Sequence, residues 1–289
     1  MRFPGSGSRT GNGVPVAVVT GGASGIGAAI AARLVRRGCA VTLADIDADG
    51  VQATADELGA AAAVLDVADA EAVRALIHGV RDRQGRLDYV VNNAGIFVAG
   101  RAETLSPEHW DRTLAVNLHG VVHGVHAAYP IMIEQGHGHI VNVASMAGLA
   151  PVPFMLPYVT AKHAVVGLSL ALRAEAARHG VRVTVACPGF IDTPLLERVN
   201  PGLPRTGMEN GWRQIARRFQ LGLYPVDRLA DAVLAGVDRN RPIIIAPAQM
   251  RLLWRLNRLA PRTAVRVTAQ SRHLMPSGGP REHVRRSPS

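Results

Sequence analysis

A serine, a tyrosine and a lysine lie in the stretch from Ser145 to Lys162 and could together move a proton. Tyr158 and Lys162 are four residues apart and follow Pro157, which suits the first turn of a helix, so both side chains are predicted on one helical face. An ammonium about 4 Å from a phenol, at an effective dielectric constant of about 20, contributes roughly 4 kcal/mol, or about three pKa units. We therefore expect the pKa of Tyr158 to be lowered toward neutrality. The alternative is a solvated tyrosine and lysine on a surface helix.

Lys162 is the only lysine of the 289-residue chain, and the other basic residues among the 32 are all arginine. A lysine ammonium is a compact charge with three donors, so it can favour a phenolate while it also holds a ligand hydroxyl. A guanidinium fork is too wide for that geometry. We interpret the single lysine as a position where arginine cannot replace it.

A glycine-rich turn precedes this stretch by more than a hundred residues. The β-branched run at residues 16–20 is typical of a buried strand, and a helical pattern begins after Gly27. A strand, a glycine turn and a helix N-terminus form an anion site, because backbone N–H groups and the positive end of the helix dipole face a pyrophosphate. The alternative is an ordinary flexible turn.

Several motifs occur together in a fixed order along residues 14–247. They are Thr20-Gly21-x-x-x-Gly25-x-Gly27, Asn92-Asn93-Ala94-Gly95, Asn117, Ser145, Tyr158-x-x-x-Lys162 and Pro188-Gly189-x-Ile191-x-Thr193. In this combination the chain resembles the short-chain dehydrogenase/reductase family. With the alternation of apolar runs and helical patterns, the resemblance implies a single doubly wound α/β domain: a Rossmann-like parallel sheet of about seven strands with helices on both faces.

The resemblance also implies residue roles. Tyr158 is the general acid or base, Lys162 assists it and holds the nicotinamide ribose, and Ser145 steadies the substrate oxygen. Asn117 holds a water that relays protons; its place within a long helical pattern also predicts a local kink. The implied dinucleotide-binding residues are Gly21, Ser24, Gly25, Ile26, Gly27, Asp45, Asp66, Val67, Asn93, Ala94, Gly95, Tyr158, Lys162, Pro188, Gly189, Ile191 and Thr193.

Asp45 follows the second predicted strand, about 20 residues past the glycines. A carboxylate there would hold the ribose hydroxyls and repel a 2′-phosphate, which favours NAD over NADP. The alternatives are that Asp45 only starts a turn, or that Arg36 or Arg37 reaches a phosphate. We predict an NAD-dependent alcohol dehydrogenase or ketone reductase.

Two segments indicate the kind of substrate. Residues 149–156 form a proline-stiffened apolar loop, which we interpret as a wall of the substrate pocket, although a partner could instead cover it. Residues 190–225 are long and irregular, and are predicted to form a mobile lid. Both favour a bulky, hydrophobic secondary alcohol or ketone.

The formal net charge of +10 lies mostly at the C-terminus, because residues 248–289 contain nine arginines and one acid. We therefore expect no nucleic-acid partner, and the high net charge gives no information about the active site. Residues 248–269 are predicted to be a basic amphipathic helix region, limited by Pro261, that docks within the protein or on a neighbouring subunit, or lies on an anionic membrane. Residues 1–13 and 270–289 are expected to be disordered.

The cysteines, the lengths of the apolar runs and three histidines give further expectations. Cys39 and Cys187 are interpreted as apolar core residues, which favours a cytoplasmic protein, and no run reaches the about 18 apolar residues of a membrane span. His119, His123 and His126 could bind a metal from one helix face, but a polar or oligomer-interface face is favoured and no metal is predicted. We expect a homodimer or homotetramer. The rival hypotheses are a noncatalytic dinucleotide-sensing or scaffold protein, and a reductase held at membranes by its basic C-terminus.

Overall fold

The computed structural model describes residues 13–220 and 222–270. The disorder predicted for residues 1–13 and 270–289 therefore falls, apart from one residue of each segment, outside the described residues. The strands are β1 Val16–Thr20, β2 Ala40–Asp45, β3 Ala61–Val64, β4 Tyr89–Asn92, β5 Gly138–Val143, β6 Val181–Pro188 and β7 Ile243–Ala246. The α-helices are α1 Gly25–Arg36, α2 Ala48–Leu58, α3 Ala70–Gln84, α4 Pro107–Leu114, α5 Gly120–Gln135, α6 Leu156–Ala176, α7 Trp212–Gln220, α8 Val226–Asp238, α9 Met250–Leu259 and α10 Pro261–Gln270.

All seven strands of the sheet run parallel, in the order β3-β2-β1-β4-β5-β6-β7. The strand order reverses between β1 and β4, so the helices after these strands leave on opposite faces and a crevice opens at the carboxyl ends. This arrangement confirms the predicted doubly wound α/β fold. It also brings the ends of β1, β2, β4, β5 and β6 to one edge, the carboxyl edge.

Apolar side chains fill both faces of the sheet. On one face, Ile30 and Leu34 of α1 pack with Leu229 of α8 against the strands. On the other face of the sheet, Ile77 of α3 and Met132 of α5 pack against the strands. Strands β1 and β7 are almost wholly apolar because both of their faces are buried. Two packed layers therefore hold the carboxyl edge in place.

The long helical stretch from Pro107 to Gln135 is interrupted. A π-helical segment, Ala115–His119, joins α4 to α5 and contains Asn117. A π-turn inserts one extra residue into a helix and is frequent at functional sites. The local distortion expected at Asn117 is thus present, in the form of a π-bulge.

The segment predicted to be irregular, residues 190–225, contains helix α7. Trp212 at its start is fully buried, and its indole N–H donates to the carbonyl of Met208 at 2.6 Å. The prediction of an irregular chain was wrong for Trp212–Gln220 because the prolines and glycines before this short helix dominated the pattern.

Helices α9 and α10 follow β7 and are separated at Ala260. Pro261 takes the first position of α10, where its missing N–H costs nothing. None of the residues of either helix is fully buried. Within the ranges 13–220 and 222–270, no helix is both long and apolar enough to cross a bilayer.

Candidate active site

The glycine turn lies at the carboxyl end of β1. Gly21 has a φ of +67°, and a Cβ placed there would lie 2.7 Å from Nδ2 of Asn93. A Cβ on Gly27 would lie 2.0 Å from the carbonyl oxygen of Gly21. Larger residues therefore cannot form this turn. Helix α1 begins directly after it at Gly25, with Ile26 in its first turn, and the Ser24 side chain makes no capping hydrogen bond, so the first N–H groups of the helix can serve an anion.

Asn93 ties the end of β4 to this turn. Its Nδ2 donates to the carbonyl oxygens of Thr20 and Gly21, each at 3.0 Å. The hydroxyl of Thr20 in turn accepts from the backbone N–H groups of Asn93 at 3.0 Å and Ala94 at 3.2 Å. Asn93 and Ala94 thus line the cleft as parts of a rigid backbone junction.

Asp45 ends β2 beside the glycine turn. Its Oδ2 accepts from the N–H of Ala23 at 3.0 Å, and its Oδ1 accepts from the N–H of Asp47 at 3.1 Å. Each carboxylate oxygen keeps a further lone pair, and Asp45 lines the cleft. Arg36 and Arg37 lie at the opposite end of α1, roughly 18 Å away along a helix of 12 residues. Arg37 pairs there with Asp238 at 2.9 Å.

Asp66 and Val67 border the cleft on the far side of Asp45. Oδ2 of Asp66 accepts from Arg112 of α4 at 3.3 Å. The carbonyl of Val67 lies 2.9 Å from Nδ1 of His123, which holds that histidine against the loop after β3. Within the described part of the chain, no three metal-binding side chains come together. Sequence reasoning missed Arg112, because nothing in the α4 pattern marks it.

Ser145, Tyr158 and Lys162 converge at the carboxyl ends of β5 and β6. Ser145 begins a short 3₁₀ turn, and its Oγ accepts from the N–H of Ala147 at 3.1 Å. Tyr158 and Lys162 project from the first two turns of α6 and are 9% and 3% exposed. The ammonium of Lys162 donates to the carbonyl of Val143 at 3.0 Å and lies 5.7 Å from the centre of the Tyr158 ring. We call this group the inner end of the cleft.

The electrostatics at the inner end differ from the expectation. Burial raises the pKa of Tyr158 to about 12, and a hydrogen bond with Ser145 opposes only part of that rise. Burial also lowers the pKa of Lys162 to about 8. The prediction of a lowered tyrosine pKa was wrong, because it treated the pair as partly hydrated. Both side chains are removed from water, and desolvation disfavours the charged form of each.

Asn117 reaches the same place from the π-bulge. Its Nδ2 donates to the carbonyl of Ile96 and its Oδ1 accepts from the N–H of Ile96, both at 2.8 Å. This pair fixes the segment that carries Gly95, where a Cβ would lie 3.1 Å from Oδ1 of Asn117 and 3.7 Å from Nζ of Lys162. The amide is therefore engaged in positioning backbone beside Lys162.

The turn after β6 closes the cleft from the other side. The N–H of Gly189 donates to the carbonyl of Ala246 at 2.8 Å, and Ile191 pairs with Tyr224. Thr193 packs near the glycine turn, with its Cγ2 3.2 Å from the point where a Cβ of Gly25 would lie. Pro188, Gly189, Ile191 and Thr193 all line the cleft.

The whole cleft has a volume of about 870 Å³ and is mostly apolar beyond Tyr158. Phe97 packs edge-on against both Tyr158 and Trp212, with ring centres 5.4 and 5.0 Å apart. Pro151, Val152, Pro153 and Met155 from the predicted wall line it as well. Phe97 and Trp212 were missed by sequence reasoning, because they lie in segments without a motif.

Helices α9 and α10 form the outer end of the cleft. Leu253, Leu256 and Asn257 of α9 and Val267 of α10 line it. Nδ2 of Asn257 donates to the carbonyl of Leu149 at 2.8 Å, which attaches α9 to the apolar loop. Packing within the protein was one of the alternatives predicted for residues 248–269, and the fold packs this segment across the mouth of the cleft.

Comparisons with known proteins agree with this geometry. The probable oxidoreductase EphD of Mycobacterium tuberculosis is 41% identical over 263 residues, which cover 88% of this chain and 44% of that protein. The chain thus spans less than half the length of this relative. A short-chain dehydrogenase/reductase from Burkholderia phymatum, solved in complex with NAD, superposes with a TM-score of 0.77 at 31% identity and covers 87% of this chain and 95% of that one.

Actinorhodin polyketide ketoreductase, solved with NADPH, has a TM-score of 0.72 at 31% identity, over 81% of this chain and 95% of that one. The family model described as short chain dehydrogenase matches residues 15–204. These residues contain the glycine turn and the group Ser145, Tyr158 and Lys162. The chain belongs to the short-chain dehydrogenase/reductase family.

Proposed function

We propose that this oxidoreductase uses NAD(H) to interconvert a bulky, hydrophobic secondary alcohol and its ketone. The observation that carries the proposal is the convergence of Ser145, Tyr158 and Lys162 in the same cleft as the glycine turn. The glycine turn supplies a dinucleotide site, and the three side chains supply a proton-transfer group beside it.

The residues at the carboxyl edge fit a nicotinamide dinucleotide. The first turn of α1 would hold the pyrophosphate, Asp45 the adenine-side ribose, and the turn at residues 188–193 the nicotinamide. When bound, the cofactor accepts or donates the hydride. The free lone pairs of Asp45 and the distance of Arg36 and Arg37 from the turn support NAD over NADP.

Tyr158 is the proposed acid in ketone reduction. With its pKa raised to about 12, Tyr158 carries its proton at neutral pH. It would donate that proton to the substrate oxygen as the carbonyl carbon is reduced, and the O–H bond of the tyrosine would break as the O–H bond of the alcohol forms. In alcohol oxidation Tyr158 would first release its proton through the predicted relay at Asn117, and the phenolate would then take the proton of the alcohol, so that the O–H bond of the alcohol breaks as the O–H bond of the tyrosine forms.

Three neighbours would assist this transfer. The Ser145 hydroxyl would donate a hydrogen bond to the substrate oxygen, and Lys162 would stabilise the charge that develops on Tyr158. Lys162 would also hold ribose hydroxyls. Asn117 would keep the backbone at Gly95 and Ile96 in position, and its π-bulge is where we place the water of the predicted proton relay.

The substrate would occupy the apolar part of the cleft. Phe97, Trp212 and Met155 surround the space next to Tyr158, and Leu253 and Leu256 extend it outward. An apolar side of the substrate that lies there is stabilised because it leaves water. This lining supports a bulky hydrophobic alcohol or ketone, and residues 190–225 would open and close over it.

The test replaces Tyr158 with phenylalanine. We expect Tyr158→Phe to abolish NADH formation from a panel of hydrophobic secondary alcohols, while NADH binding, followed by cofactor fluorescence, stays nearly unchanged. The matched control is Tyr129→Phe on α5, which packs on His179 away from the cleft. Turnover retained by Tyr158→Phe would contradict the assignment. Absence of turnover in the native protein with all substrates, together with NADH binding, would favour a dinucleotide sensor.

Location and assembly stay predictions. Cys39 and Cys187 are free thiols, which supports a reducing compartment such as the cytoplasm. A homodimer or homotetramer would be detected by light scattering after size-exclusion chromatography.

A further inference from the structure

The outer end of the cleft exposes large apolar side chains to water. Leu252, Leu256 and Leu259 are 62%, 54% and 84% exposed. Their spacing of i, i+4 and i+7 places them on one face of α9. Val265 and Val267 of α10 are also exposed. An apolar strip of this kind next to a cleft marks an interaction surface.

Arginines border this apolar strip. Arg251, Arg255 and Arg258 repeat the i, i+4, i+7 spacing one position earlier, so they form a neighbouring face of α9. With Arg262 and Arg266 of α10 they make five positive charges, and neither helix contains an acidic residue. We call these five arginines and the five exposed apolar residues the C-terminal face.

The charges of the C-terminal face are not neutralised by carboxylates in the described part of the chain. None of the five arginines forms an ion pair there. Arg251 donates a long hydrogen bond of 3.4 Å to the carbonyl of Ile245, and Arg258 lies 5.6 Å from the centre of the Trp254 ring. Neither contact removes positive charge, so we expect the C-terminal face to bind an anionic partner.

Two candidate partners from the chain itself, a second copy and residues 271–289, are not anionic. A second copy in a two-fold dimer would bring the same patch against itself, so that arginines would face arginines. Residues 271–289 contain four more arginines and a single acid. Both would add repulsion to whatever apolar area they covered. A surface that is anionic outside and apolar beneath matches both halves of the C-terminal face.

We propose that the C-terminal face docks on an anionic lipid bilayer. Leu252 and Leu259 would enter the acyl boundary while the arginines contact headgroup phosphates. Leu256 and Val267 belong to both the C-terminal face and the cleft lining, so the mouth of the cleft would open at the bilayer surface. A hydrophobic substrate could then pass between lipid and cleft without crossing water.

The test measures binding of the full chain to vesicles by cosedimentation, without substrate or cofactor. We expect binding to mixed phosphatidylglycerol–phosphatidylcholine vesicles and at least about tenfold weaker binding to pure phosphatidylcholine. The triple variant Arg251→Gln, Arg255→Gln, Arg258→Gln should bind about 100-fold more weakly, because each arginine near an anionic surface contributes about fivefold. The double variant Leu252→Ser, Leu259→Ser should lose at least about tenfold.

The controls remove the same groups elsewhere. Arg83, Arg182 and Arg239 are exposed at the amino edge of the sheet, opposite the cleft, and their triple replacement by Gln should leave vesicle binding within about twofold of the native protein. Val64→Ser removes an exposed apolar residue from the edge strand β3. An equal loss in the arginine control would mean that binding follows net charge alone, and an equal loss in Val64→Ser would mean that it follows any exposed apolar residue. Either result would overturn the proposal.

Other outcomes also decide against it. Failure of the native protein to bind anionic vesicles would overturn the proposal. So would a dimer that dissociates on Leu252→Ser, Leu259→Ser, or binding of duplex DNA as tight as that of anionic vesicles. Vesicle binding does not require turnover, so a failure of the proposed enzyme activity would leave this test unaffected.

Discussion

At the inner end of the cleft the fold buries polar side chains, whereas at the outer end it leaves apolar side chains in water. Lys162 is 3% exposed, and Leu259 is 84% exposed. Lysines are almost never fully buried, and exposed apolar patches of more than a few residues are uncommon. Each end therefore departs from the ordinary distribution of residues, in opposite directions.

The difference teaches what each end requires from the rest of the molecule. A buried polar group without a hydrogen-bond partner destabilises the fold. The inner end therefore needs a packed sheet edge that holds the carbonyls of Val143 and Ile96 against Lys162 and Asn117. The outer end needs only a helix attached at a few points, such as the bond from Asn257 to Leu149. We expect substitutions at the inner end to change activity or stability strongly, and those at the outer end to change stability little.

The largest effect is expected from Lys162. Lys162→Met should lower kcat/KM by about 1000-fold, because the positive charge beside Tyr158 is lost. Lys162→Arg should lose nearly as much, since the guanidinium cannot occupy the same compact site. Steady-state kinetics with NAD and a hydrophobic alcohol would measure both. Native activity in the arginine variant would contradict the explanation given for the single lysine.

A second prediction compares two asparagines. Asn117→Ala should lower the free energy of unfolding by about 3 kcal/mol, because the Asn117 side chain is fully buried and the N–H and C=O of Ile96 each lose their partner. Asn257→Ala at the outer end should lower it by less than about 1 kcal/mol, since water can reach the carbonyl of Leu149. Urea unfolding followed by circular dichroism measures both. Equal losses would remove the distinction between the two ends.

Sequence reasoning was sufficient where the chemistry is local in the chain. The β-branched run before Gly21 can only be buried, and the helix that starts at Gly25 must point its N–H groups at the turn. Tyr158 and Lys162 share a face because both lie at the start of α6. Asn117 signalled a distortion because asparagine is a poor residue for a helix interior.

The remainder depended on packing that no local pattern reveals. The pKa of Tyr158 is set by how completely α6 is buried, and the sequence contains no measure of that burial. Arg112 reaches Asp66 only after α4 packs beside the sheet. The positions of α9 and α10 across the cleft could not be predicted, because an amphipathic helix specifies that it covers something and not what it covers.

The third prediction concerns pH. Lysine has an ordinary pKa of 10.5, and burial lowers that of Lys162 to about 8. Below pH 8 both the folded and the unfolded states hold this proton, and the buried charge destabilises the fold. Between pH 8 and pH 10.5 only the unfolded state keeps the proton of Lys162. The contribution of Lys162 to the free energy of unfolding therefore rises with pH over this range, by about 3 kcal/mol in total.

The comparison with Lys162→Met isolates this contribution, because Tyr158 and Cys187 have raised pKa values and act in the opposite direction at high pH. At pH 7 the methionine variant should be more stable than the native protein, although it loses the bond to Val143. Its advantage should shrink as pH rises above 8. Urea unfolding of both proteins from pH 7 to pH 10 measures the difference, and a constant difference would mean that Lys162 is hydrated in the fold.

The smallest effect is expected at the outer end. Leu252→Ser and Leu259→Ser should each change the free energy of unfolding by less than about 0.5 kcal/mol, since these side chains are already in water. Leu34→Ser in the core of α1, where the leucine is 1% exposed, should cost several times more. Urea midpoints of the three variants give the comparison. A loss of about 2 kcal/mol at Leu259 would mean that it packs within the chain, whereas no loss means that folding does not require these leucines.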